Sequence, residues 1–114
     1  MFKKRERLTR AEFSDYFATG RRYHGPYTTI IYLPHPTRKT AVVVGKKVAK
    51  HAVKRNTLRR RVYAVLRQVL DAAGVTGVFI VLVKPAITNL PRTQAAAAVA
   101  AALHEVIAAH QETP

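Results

Sequence analysis

The chain of 114 residues contains no cysteine. Disulfides, thiolate zinc sites, iron–sulfur clusters and cysteine nucleophiles are therefore excluded. The absence fits a reducing cytoplasm. Acidic residues are scarce, 6 in all, and scattered as Glu6, Glu12, Asp15, Asp71, Glu105 and Glu112. No two have the local spacing of a metal site or an acid–base pair. The five histidines form no HExxH or similar motif. Gly45-Lys46-Lys47 lacks the spacing of a P-loop. Local signals thus argue against a self-sufficient enzyme. Long hydrophobic runs are missing too: Val78–Val83 and Ala95–Leu103 are too short to cross a bilayer. The basic start, Met1 to Arg5, is followed by no apolar stretch, so no secretory signal is expected.

What is present is positive charge. Twenty Lys and Arg give a net charge of +14 and a pI near 11.0. Residues 1–67 carry 18 basic and 3 acidic side chains, net +15, while residues 68–114 carry 2 and 3, net −1. A polyanion is the expected partner, met by the first 67 residues. The apolar fraction of 48% is enough for a core, and the length suits one domain spanning 1–114.

Thr9-Arg10-Ala11-Glu12 is a capping box, with Leu8 and Phe13 placed as a hydrophobic staple. A helix is expected over 9–19, with Gly20 at C′. Arg21–His24 reads as a short strand, Tyr27–Leu33 and Thr40–Val44 as further strands. Leu58, Val62, Val65 and Val69 recur at helical spacing and mark a helix over 52–72, ending near Gly74. Val78–Val83 is a strand closed by Pro85. Asn89 and Pro91 precede a last helix whose apolar face is Val99, Leu103, Val106 and Ile107. The order αββ(β)αβα predicts an α+β fold. It is a small two-layer sandwich with one mixed sheet of about four strands and three helices. The helix at 52–72 would be a βαβ crossover between parallel strands.

From Lys46 to Arg67, nine of 22 residues are basic and none is acidic. They are Lys46, Lys47, Lys50, Lys54, Arg55, Arg59, Arg60, Arg61 and Arg67. Asn56, Arg60 and Arg67 project opposite the apolar stripe, flanked by Arg59 and Arg61. Such a helix repels itself unless phosphates compensate it. A solvated face or a membrane-surface helix is the alternative reading. Phe13, Tyr16, Phe17, Tyr23, Tyr27 and Tyr32 all lie in the same basic half. Rings in a positive groove stack the bases of single-stranded RNA. Phe13, as part of the staple, also belongs to the core. Tyr27 and Tyr32 stand on opposite faces of their strand, so at most one faces the core and the other is open to a ligand.

The segment Lys46 to Arg60 resembles a motif of the protein component of bacterial ribonuclease P. That family's pattern is similar to KKxxxxAxxRNRxKRxxRE. Lys46, Lys47, Ala52, Arg55, Asn56 and Arg60 match it, and Arg59 stands for the usual Lys. Thr57 replaces the second Arg of RNR, and Tyr63-Ala64 replaces a later Arg-Glu pair. Leu8, Glu12, Phe13, Phe17 and Gly20-Arg21 resemble the family's first helix. Val78–Val83 with Lys84-Pro85 resembles its segment before the last helix.

The resemblance implies the protein subunit of ribonuclease P. There a catalytic RNA removes the 5′ leader of precursor tRNA using magnesium ions. The protein binds that RNA and the leader in the cytoplasm, with no membrane and no obligate protein partner. It implies that Arg55, Asn56, Arg59 and Arg60 contact the RNA. Lys46, Lys47 and Lys50 would share the surface, with Lys54, Arg61 and Arg67 beside them. A cleft between the first helix and the sheet, with Phe13, Phe17, Tyr27 and Tyr32 as candidates, would take the leader. No residue of the chain is implied to be catalytic or metal-ligating, and the crossover would be left-handed. A structural RNA-binding protein of the ribosome or its assembly is the alternative.

Overall fold

A computed structural model describes residues 6–111. Helix α1 (Arg10–Thr19) begins at the expected capping box. The Glu12 amide donates to Thr9 Oγ1 at 3.2 Å, and the Thr9 amide donates to Glu12 Oε1 at 2.9 Å. These bonds satisfy two amides that a helix start leaves open. The backbone hydrogen bond from Thr9 holds the Glu12 carboxyl below its ordinary pKa.

Strands β1 (Arg21–His24) and β2 (Thr28–Leu33) form a hairpin, and β3 (Arg38–Val43) follows. The 22-residue helix α2 (Ala52–Ala73) leads to β4 (Gly77–Val83). Gly74 ends α2 in the left-handed conformation, φ 64°, where its amide donates to the Leu70 carbonyl at 2.9 Å. A short 3₁₀ turn (Pro85–Asn89) precedes α3 (Arg92–Gln111).

The sheet order is β1-β2-β4-β3. β4 pairs antiparallel with β2 and parallel with β3, so α2 is the crossover the sequence predicts. As an inner strand covered on both faces, β4 reads as one continuous apolar run. The α+β sandwich of four strands and three helices is thus observed. α2 and α3 pack on one face over Ile30, Phe79 and Val81, while α1 lies on the other over Ile31, Val78 and Ile80. Arg38, at the start of β3, bonds the Asp71 carboxylate at the end of α2 and ties the crossover shut. That bond holds the Asp71 pKa below its ordinary value.

Gly20 ends α1 as the sequence predicts, but not in a left-handed conformation. Its φ of −70° is open to any residue. The position needs glycine for closeness instead: a Cβ there would lie 2.3 Å from Ile31 Cγ2 and 2.8 Å from the Tyr16 carbonyl oxygen.

Candidate nucleic-acid interface

The basic stretch folds into two pieces. Gly45 starts a turn in which the Val48 amide donates to the Gly45 carbonyl at 3.1 Å. This turn leaves Lys46 and Lys47 exposed. α2 then divides its charges by angle. Its buried residues are Val62, Leu66, Val69 and Leu70. At about 100° per residue, Asn56, Arg60 and Arg67 fall more than a quarter turn from Lys54 and Arg61. The first three are exposed, and Arg59 joins them by donating to Asn56 Oδ1 at 2.6 Å. Lys54 and Arg61 turn with Lys50 toward a groove between α2 and α3. Seven of the ten predicted residues therefore divide between two surfaces.

Arg55 has a structural task that the motif does not show. Its Nη1 donates to the carbonyls of Ala49 and Lys50, at 3.0 and 2.8 Å. The guanidinium thus holds the loop that leads into α2. Arg67 lies 3.7 Å from Asp71 Oδ2, one helical turn on, so part of its charge is met inside the chain. Thr57, where the motif has Arg, donates its hydroxyl to the Val53 carbonyl at 3.0 Å.

The four aromatics do not share one cleft. Phe13 and Phe17 stack at 5.6 Å on α1 and pack with Leu8 and Leu33 on the α1 face. Arg22, unnoticed in the sequence, lies 4.4 Å over the Phe17 ring and donates to the Phe17 carbonyl at 3.0 Å. Tyr32 is on the opposite face, 5.0 Å from Phe79 and 4.0 Å from His110 between ring centres. Tyr27 packs against that same core. The strand begins at Thr28, so Tyr27 sits in the preceding bend, outside the alternation that placed it opposite Tyr32. Position removes both tyrosines from the cleft beside α1.

Tyr23 completes the Tyr32 cluster, its hydroxyl 2.6 Å from His110 Nε2. Burial, then the Arg21 charge, pushes the His110 pKa down. Burial, then Tyr23, pushes Tyr32 up. Lys84 donates to the Gly25 carbonyl at 2.7 Å and holds the β1–β2 turn. Among the described residues no three His, Asp or Glu gather where they could hold a metal ion. Among the described residues, no helix is long and apolar enough to cross a membrane.

A family model described as Ribonuclease P matches residues 2–107. The chain belongs to the ribonuclease P protein family. The ribonuclease P protein component of Microcystis aeruginosa is 41% identical over 81 residues, covering 63% of this chain and 67% of that one. That of a Pseudanabaena species is 35% identical over 98 residues, covering 82% and 84%. The RNase P protein of Staphylococcus aureus superposes with a TM-score of 0.68 over 92% of this chain and 94% of that one. At 15% identity that likeness speaks for the fold alone. Membership makes the chain the protein subunit of the ribonuclease P endoribonuclease, a ribonucleoprotein that acts on tRNA precursors. A ribosomal role is not favoured. An RNA subunit is the partner this implies.

Proposed function

We propose that this subunit holds the catalytic RNA on the outward face of α2 and the 5′ leader of precursor tRNA on the α1 face. The observation that carries the reading is the grouping of Asn56, Arg59 and Arg60 on one exposed flank, close in sequence to Lys46 and Lys47. Arginine forks suit phosphate oxygens. Phe13 and Phe17, with Arg22 over the second ring, offer stacking and charge to a single strand. The chemistry and its magnesium ions belong to the RNA subunit, and the complex works in the cytoplasm. The protein contributes charge neutralisation and a grip on the leader.

Reconstitution with the cognate catalytic RNA at low magnesium tests this, with precursor-tRNA cleavage as the read-out. Stimulation over RNA alone is expected, and its absence overturns the proposal. Arg60→Ala should weaken RNA binding and reduce the slope of log affinity against log salt by about 0.7 to 0.9. An unchanged slope removes Arg60 from the phosphate contacts.

A further inference from the structure

A groove of about 790 Å³ runs between the N-terminal halves of α2 and α3, closed at one end by the 3₁₀ turn. Its floor is aliphatic: Leu58, Val65, Ile87, Leu90, Ala95 and Ala96. Its rim is cationic, with Lys50, Lys54 and Arg61 on the α2 side and Arg92 on the α3 side. None of these four makes an ion pair among the described residues. Among the described residues no acid, phenylalanine or tyrosine lines the groove, and His51 is its one aromatic ring. Both helices begin beside it, and neither carries an acidic residue in its first turn. The positive ends of two helices therefore add to the rim.

A single-stranded nucleic acid would gain phosphate contacts here but only the His51 ring to stack on, over a floor that is otherwise aliphatic. A second copy of this chain, at net +14, would be repelled. A ligand with an apolar ridge flanked by carboxylates satisfies floor and rim together, which is how an amphipathic helix occupies a groove. We propose that the α2–α3 groove is a docking site for an acidic amphipathic helix of a protein partner. The site is separate from the flank of Asn56 and Arg60. Its failure would leave the Arg60 result, and the RNA reading, untouched.

The test uses the whole chain at about 150 mM salt, where surface charges are screened beyond about 8 Å. The probe is a labelled synthetic helical peptide of about four turns, with leucine along one stripe and glutamate elsewhere. A scrambled peptide of equal composition is the control, read by fluorescence anisotropy. The striped peptide should bind at least about tenfold tighter than the scrambled one. Ala96→Glu, in the floor, should weaken it at least about tenfold. Ala101→Glu, an exposed change of equal charge on the same helix, should alter it less than about twofold. Lys54→Glu with Arg92→Glu alters only exposed rim positions and should give the same loss, which covers a misfolded Ala96→Glu. Equal binding of the two peptides, or equal loss from Ala96→Glu and Ala101→Glu, overturns the proposal. So does an oligouridylate whose binding alone falls with Ala96→Glu, which would assign the groove to RNA.

Discussion

The two faces of the sheet are built to different standards. Under α2 and α3, fifteen side chains are buried in one cluster among the described residues. Under α1, again among the described residues, only Ile31, Val78 and Ile80 are, and α1 itself buries no residue fully. Phe13, Tyr16 and Phe17 are left half-exposed there, beside Arg22. Apolar area removed from water is what stabilises, so the first face carries the fold. The second keeps rings accessible at a cost in stability, which is what a surface for a flexible ligand requires.

Four substitutions probe that division. Leu66, with no exposed surface, anchors the filled face, and Leu66→Ala should cost about 2–5 kcal/mol in urea unfolding. A smaller loss would mean that the face is less tightly packed than it looks. Gly20→Ala tests the contact between α1 and β2. Its Cβ collides with Ile31 and the Tyr16 carbonyl, and about 1–3 kcal/mol should be lost. Phe17→Ala should barely move the unfolding midpoint, by about 1 kcal/mol or less. It should weaken the preference for precursor over mature tRNA by about 1–3 kcal/mol, measured as a binding ratio. A large stability loss with an intact ratio would make Phe17 a core residue.

The smallest effect concerns His110. Its folded pKa lies below the ordinary 6.5, so as pH falls the unfolded chain takes up the proton first. The contribution is whole above that ordinary value and is lost as pH falls through it toward the folded value. Urea midpoints at about pH 7.5 and about pH 5.5 should therefore differ less in His110→Phe than in the parent chain. An identical difference would exclude His110 as a source of acid sensitivity.

Most elements were legible because each carried a local signal. The capping box fixed the start of α1, the apolar stripe and Gly74 fixed α2, and Val78–Val83 marked the inner strand. What escaped depends on contacts distant in the chain. Tyr27 was misplaced because one residue decides where a strand begins, and alternation is meaningful only inside it. Gly20 has a tertiary reason that no turn preference reveals. Arg55 looks in sequence like any other phosphate ligand, and only the fold shows its guanidinium on two carbonyls. The split of the charges between a flank and a groove required α3 to be in place. Arg92, which lies 38 positions after Lys54 in the chain, closes that groove from the other side.

The position of β4 has a consequence for how the molecule is made. It is an inner strand, yet it is the last of the four in the chain. Among the described residues, apart from an isolated bridge to Arg7, β3 has no strand neighbour until residues 77–83 exist. A ribosome therefore releases the whole +15 half of the chain before the strand that organises it. For that interval the newborn subunit is a polycation without its central strand, surrounded by the RNA of the machine that is producing it.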